Sequence, residues 1–554
     1  MKEHIMLNRK NILTAIVGIL LFSGFVQKDS DIYFEINKGI EIFGRVYKEV
    51  TLNYVDQINP QEFMLAGISG MLESLDPYTN FIDGSNQKDI DIITKGKYGG
   101  IGATVGIRNE RITIVDLIEG YSAQRQGIRI GDIISKIDDI PVTKQNYEEL
   151  SELLKGDTGT SVKLIIQREG EEEPILFNLL REEIEIKNLS YYGFYPESSG
   201  NVYLKLSGFS RSAGEEVKKA LVELKEKRVI ESIVLDLRGN PGGLLDAAVD
   251  VSEKFIPKGE MIVSVKGRDS LDVKNYISAE EPVAGKIRLA VLVDEGSASA
   301  SEIVAGAIQD HDRGVIVGST SFGKGLVQTL IPLSYNTSLK ITTARYYTPS
   351  GRSIQKVDYS SRNKVIRSAG TIDSKEFLTD TNRKVTSAGG IVPDSVVVNR
   401  SSSHLIQRLL ADGLFFGFAT HFYNEHPGND FKNISPDNLL NEFQKYIKTQ
   451  KFEFTSPAEK LIDQLKLAAV QENLNGSFLE LLDKSKSQID ESHSREMEKY
   501  KDEIVSAIRE ELMARVEGRI GRIIESLKND NQLKSAVGIL YNNGHYSKLL
   551  KQAL

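Results

Sequence analysis

Hydrophobic positions along this 554-residue chain change period several times. Phe34, Ile40, Phe43, Val46, Tyr47 and Val50 recur at helical spacing, and a second helix is predicted from Gln61 to Leu75, where Asp76-Pro77-Tyr78-Thr79 breaks it. From Tyr98 the pattern shortens. Strands are predicted over Thr104–Arg108, Ile112–Leu117 and Ser161–Arg168, with Gly131–Asp138 turning into another. A short helix at Ser122–Gly127 is closed by glycine, and a longer one covers Asn146–Leu154. Strands and helices then alternate: Asn201–Leu206, helix Gly214–Glu226, Ser232–Leu237, helix Leu245–Phe255, Ile287–Val293, helix Ser301–Gln309, Val315–Gly318 and Lys340–Tyr346. Near-continuous apolar strands separated by helices predict a layered α/β core. Beyond 400 the chain is charged and helical. Ile504, Ile508, Leu512, Val516 and Ile520 predict one buried face on a helix over Arg495–Ile520; Ala458–Glu472 and Gln532–Leu540 are helical as well.

These changes divide the chain into five segments: 1–28, 29–90, 91–183, 184–399 and 400–554. In the first, Lys2, Arg9 and Lys10 precede the apolar run Ile12–Val26. A basic flank and a short apolar run at the extreme terminus predict an exported chain, with the segment either cleaved or kept as an anchor. The net charge of -8 is spread without a basic block, which argues against nucleic acid as a partner. Absence of cysteine removes disulfides, a thiol nucleophile and thiolate metal sites. No pair among the seven histidines has zinc-protease spacing, so neither a metal nor another cofactor is expected. The acidic run Glu169-Gly170-Glu171-Glu172-Glu173 is expected at a solvated hairpin tip.

Candidate chemistry lies in three short stretches. Gly296-Ser297-Ala298-Ser299-Ala300-Ser301-Glu302 follows a buried strand and opens a helix. That setting presents a hydroxyl where helix N–H groups favour developing negative charge; one of the serines is also expected to cap the helix. Phe322-Gly323-Lys324-Gly325-Leu326-Val327-Gln328 supplies an amine. A lysine near its usual pKa of about 10 is a poor base, and desolvation against an apolar wall would have to bring it toward neutrality. Gly325 and Leu326 follow the lysine where a phosphate loop needs Ser or Thr. Gln328, four residues on, could orient Lys324 without favouring its charged form. Asp236-Leu237-Arg238-Gly239-Asn240-Pro241-Gly242-Gly243 ends a strand in a glycine pair that permits close backbone approach, with Asp236 and Arg238 read as shaping the turn. His311 is read as a helix-end residue.

Taken with Leu75-Asp76-Pro77-Tyr78-Thr79, Tyr346-Tyr347-Thr348-Pro349-Ser350-Gly351-Arg352 and Gly389-Gly390-Ile391-Val392-Pro393-Asp394, these motifs make the chain resemble the carboxyl-terminal processing peptidases, or tail-specific proteases. The resemblance spans about residues 70–395. It implies a multidomain α/β protein: a crotonase/ClpP-like protease core (184–399) with an inserted PDZ domain (91–183) and helical N-terminal (29–90) and C-terminal (400–554) regions. It also implies Ser299 as nucleophile, Lys324 as general base and Gln328 as its orienting partner. The oxyanion hole would use the N–H of Ala300 and one from the glycine pair, with Gly243 preferred.

In the PDZ-like unit, the resemblance implies that Tyr98, Gly99, Gly100, Ile101, Gly102 and Ala103 offer N–H groups to a substrate's free, apolar C-terminus. It further implies a periplasmic or cell-envelope location. The charged helices suggest a homodimer or adaptor surface, or equally a cap folded onto the core. Competing readings are a catalytically inactive PDZ scaffold and a crotonase-like acyl-CoA enzyme.

Overall fold

The computed structural model describes residues 32–83, 96–269, 272–359, 370–371, 374–387, 389–398, 403–474, 476–494 and 496–551. The leading segment 1–28 lies outside the described residues. Among the described residues no helix is long and apolar enough to cross a membrane. Packing divides the chain into two compact units. One comprises Met1–Ile82, Leu330–Ile341 and Tyr359–Ser368; the other holds the rest.

In the first unit residues 32–53 are helical. The next helix, Pro60–Glu73, starts where the Asn59 side chain accepts the N–H groups of Gln61 and Glu62, with proline at its first position. Tyr47 and Phe63 stack at 5.8 Å to join the two helices. The expected break after Leu75 is a turn closed by Asp76. Its carboxylate accepts the N–H groups of Tyr78 and Thr79 at 2.8 and 3.0 Å and the Thr79 hydroxyl at 3.0 Å. The chain then enters strand Asn80–Ile82, which pairs antiparallel with Ser338–Lys340.

The second unit is organised around a six-stranded sheet in the order Leu189–Phe194, Asn201–Leu206, Ser232–Asp236, Arg288–Val293, Val315–Gly318, Ser395–Val396. The first pair is antiparallel and the rest are parallel. Alternate residues face opposite sides. Ile233, Leu235, Leu289, Val291 and Ile316 join a core with helices Ala213–Lys227, Leu245–Glu253 and Ala300–Asp310. On the other side Val234, Ala290, Leu292, Val315 and Val317 meet Leu533, Ala536, Ile539, Leu540, Tyr546 and Leu550 from helices Asn531–Tyr541 and Asn543–Leu549. Coverage of both faces explains why the middle strands lack alternation. The last helices of the region read as 400–554 therefore complete the core, in the manner of a cap.

The inserted unit is a second sheet in the order Ala103–Arg108, Arg111–Leu117, Ile133–Ile137, Ser161–Gln167, Ile175–Leu180, with helices Ser122–Arg125 and Tyr147–Leu154. Its core holds Ile112, Ile114, Ile134, Leu164, Ile166 and Leu179. The acidic run does sit at the hairpin between Ser161–Gln167 and Ile175–Leu180. However, Glu169 accepts from His421 Nδ1 at 2.7 Å, so one acidic side chain is engaged by helix Leu414–Glu425.

Where a single helix is expected over Arg495–Ile520, the described residues form three, Glu496–Lys499, Lys501–Val516 and Gly518–Leu527. Gly518 has φ of 64°, which ends Lys501–Val516. Ile504, Ile508 and Leu512 are buried as expected, but the break turns Val516 and Ile520 out to 42% and 49% exposure.

If the final helices are structural, Leu540→Ala should cost about 2–5 kcal/mol. Urea unfolding of the full chain measures this; a loss well below that range would make these helices peripheral.

Candidate active site

The site is built where strand Arg288–Val293 turns into helix Ala300–Asp310. Ser299 is the N-cap residue, at φ 55° and ψ -112°. A positive φ is costly for a non-glycine residue, so the surroundings must hold it. Its neighbours in the serine run are committed to structure. Ser297 donates its hydroxyl to the Leu237 carbonyl at 2.8 Å, and Ser301 donates to that of Asn240 at 2.9 Å. The Ser299 carbonyl accepts the Glu302 and Ile303 N–H groups at 2.9 and 3.0 Å, and the Glu302 side chain returns a bond to the Ser299 N–H.

The loop after Ser232–Asp236 lies against this turn. A Cβ on Gly242, whose φ is 99°, would sit 2.9 Å from both Ser299 Cβ and the Ala300 nitrogen, so only glycine permits the approach. The Gly242 N–H donates to Asn240 Oδ1 at 2.9 Å. Among the described residues the N–H groups of Ala300 and Gly243 have no acceptor.

The loop's base is ionic, in keeping with the structural reading of Asp236 and Arg238. Arg238 donates to Asp236 at 2.9 and 2.6 Å and reaches Asp530 and Gln532 at 3.0 and 2.9 Å. Burial opposes the Asp236 charge, yet the adjoining Arg238 guanidinium holds its carboxyl down at about 2. His311 caps the C-terminal end of the helix and contacts Asp380 and the Met261 carbonyl.

Lys324 is half-buried in the loop before strand Leu326–Pro332. Its backbone is brought to Ser299 by Glu302, which is fully buried. One Glu302 oxygen accepts the N–H of Ser299 at 2.8 Å and of Lys324 at 3.0 Å; the other accepts the Ser321 hydroxyl at 2.6 Å and the Gly323 N–H at 2.7 Å. The Tyr346 hydroxyl contacts the Lys324 and Ser299 carbonyls. Gln328 donates its amide to Thr342 Oγ1 at 3.3 Å.

Neither Glu302 nor Tyr346 was a sequence candidate. The Ser299–Glu302 spacing is that of a capping box, a signal that could have singled out Glu302. Tyr346 opens one of the motifs that carry the family resemblance, but that motif gives it no role.

In the inserted unit, Tyr98, Gly99 and Gly100 belong to strand Lys97–Gly100, paired with Glu182–Glu185. Ile101 and Gly102 form the bend into strand Ala103–Arg108. The expected loop is thus half ladder, and the strand pairing occupies part of its backbone. Across from Ala103–Arg108, Tyr147 donates its hydroxyl to the Val105 carbonyl at 3.1 Å.

Burial pushes the Glu302 carboxyl up to about 7, against the pull of its four donors. The raised value means that its proton contributes stability that is complete below about 4.5 and lost as pH rises through about 7. A glutamine amide would direct N–H bonds at donors. Glu302→Gln should therefore cost about 1–3 kcal/mol at neutral pH. Thermal unfolding of both proteins across the acid-to-neutral range should also show the wild type losing stability relative to the variant as pH rises. A constant difference would remove Glu302 as the titrating group.

Residues 201–360 match the model of Peptidase family S41, 113–168 match a PDZ domain, and 405–540 match the C-terminal helical domain of probable PDZ-proteases. A carboxy-terminal-processing protease of Bartonella bacilliformis is 40% identical over 324 residues, covering 58% of this chain and 73% of its own. A probable CtpA-like serine protease of Staphylococcus aureus strain MRSA252 is 31% identical over 369 residues, 66% of this chain and 71% of its own. Among solved structures, the photosystem II D1 C-terminal processing protease aligns at 25% identity over 63% of this chain and 85% of its own, with a TM-score of 0.35. The chain belongs to peptidase family S41, as a PDZ-containing carboxyl-terminal processing serine protease.

Proposed function

We propose that Ser299 and Lys324 form the catalytic dyad of an endopeptidase that cuts proteins near their C-termini. The observation that carries this reading is the Glu302 carboxylate, one oxygen of which accepts the N–H groups of both residues. Two serine hydroxyls beside Ser299 already serve buried carbonyls, which leaves Ser299 for chemistry. Neutral Lys324 takes the Ser299 proton as the oxygen attacks the scissile carbonyl. The N–H groups of Ala300 and Gly243 hold the resulting oxyanion. Lys324 then returns the proton to the leaving amine, and water activated by the same amine hydrolyses the acyl-enzyme. Gln328 orients the amine from strand Leu326–Pro332.

A substrate tail adds beside strand Ala103–Arg108, with its carboxylate at the Ile101–Gly102 bend and an apolar terminal side chain in the adjoining core. The tail must displace the Tyr147 hydroxyl from Val105. The enzyme works in the periplasm or cell envelope after export through the leading segment. Self-association through the N-terminal helices is supported by residues 32–53, where Ile36, Ile40, Phe43 and Val46 are exposed.

Cleavage of an unfolded protein with an apolar C-terminus tests the dyad. Ser299→Ala and Lys324→Ala should each abolish it in folded protein; activity retained in either removes that residue from its role. A peptide with a free C-terminus should be cut faster than its amidated form, and equal rates would remove carboxylate recognition. Ile40→Glu should shift a dimer to monomer in light scattering; an unchanged mass would dismiss this helix as the interface.

A further inference from the structure

The two active-site segments are joined on their carbonyl side by a group with no role in the chemistry above. Tyr346 lies on strand Ser338–Tyr347 and is 1% exposed. Its backbone pairs with Val265 and donates its N–H to the Gly325 carbonyl at 3.0 Å. The ring is thereby fixed beneath both catalytic loops. Its hydroxyl lies 2.5 Å from the Lys324 carbonyl oxygen and 3.2 Å from that of Ser299. A phenol has one proton, so the bond is shared between two acceptors and weighted toward Lys324.

The same two residues are held on their nitrogen side by Glu302, which takes their N–H groups at 2.8 and 3.0 Å. Residues 299 and 324 are thus gripped twice, by an acceptor on their nitrogens and a donor on their carbonyls. The grip bears on Ser299 conformation as well. Its ψ of -112° sets where the carbonyl points, and the phenol meets the carbonyl there. The Ser299 carbonyl also accepts the N–H groups of Glu302 and Ile303, so loss of the phenol does not orphan it.

We propose that Tyr346 is a positioning residue, whose hydroxyl fixes the spacing and orientation of Ser299 and Lys324 by bridging their carbonyls. It acts through the two residues whose carbonyls it joins. The inference rests on the Ser299–Lys324 dyad.

The test is Tyr346→Phe in the full chain, which removes the hydroxyl and keeps the ring. Cleavage of fluorescein-labelled unfolded casein should show kcat reduced by about 100-fold, the scale of a small misplacement of reacting groups, with KM within about twofold of wild type. The rate of Ser299 modification by a fluorophosphonate should fall by a similar factor, because that reaction needs the dyad and not the substrate tail.

Val265→Ala supplies the comparison, since it loosens the partner strand while leaving the hydroxyl in place. Greater activity loss in Tyr346→Phe than in Val265→Ala at equal loss of Tm supports the proposal. Wild-type kcat and labelling in Tyr346→Phe, or equal activity loss in both variants at equal Tm, overturns it. Ser299→Ala and Lys324→Ala run beside them separate the two ideas: cleavage surviving in either refutes the dyad itself, whatever Tyr346 does.

Discussion

A single buried carboxylate organises the candidate active site. Glu302 leads the first turn of helix Ala300–Asp310 and accepts four hydrogen bonds, one from the cap residue and three from residues 321–324. A fully buried charge is tolerated only where donors replace its water. Here both oxygens are filled, and the donors come from two loops that follow adjacent parallel strands of the sheet. Desolvation and hydrogen bonding pull in opposite directions, and burial wins far enough to raise the carboxyl to about 7. The group that assembles the loops is therefore also a source of instability when ionised.

Around that node the fold supplies rigidity from both sides of the sheet. The helix carrying the serine packs on one face. Its far end is anchored by Arg352, which donates to Gln309 at 2.7 Å and Asp310 at 2.8 Å. On the other face the terminal helices cover the strands, and their cap residue Asp530 reaches through to Arg238 at the base of the glycine loop. The loop proposed to hold the oxyanion is thus braced by residues nearly 300 positions later. This makes the terminal helices part of the machinery's support, even though the sequence assigns them to a separate helical region.

Much of the core was legible. Ser232–Asp236 and Arg288–Val293 declared themselves by near-continuous apolar runs, and the helix after Gly296 by its position behind a strand. Less of the inserted unit was visible. Strand Glu182–Glu185 is polar except for Ile184, and Tyr98–Gly100 reads as a loop until that partner is known. The helix break at Gly518 was hidden because the four-residue recurrence of apolar positions runs straight across it.

By itself the sequence determined which residues are chemically able: a serine at a strand-to-helix turn, a lysine between glycines, and glycines where backbones must approach. These are local properties, set by side-chain type and spacing. Only the tertiary structure decided that the Ser297 and Ser301 hydroxyls serve buried carbonyls, and that Glu302 and Tyr346 grip Ser299 and Lys324 by their N–H and carbonyl groups. It also decided that the last helices of the chain close the sheet. Those choices depend on contacts between residues tens to hundreds of positions apart, and periodicity along a chain carries no record of what a buried donor or acceptor will meet.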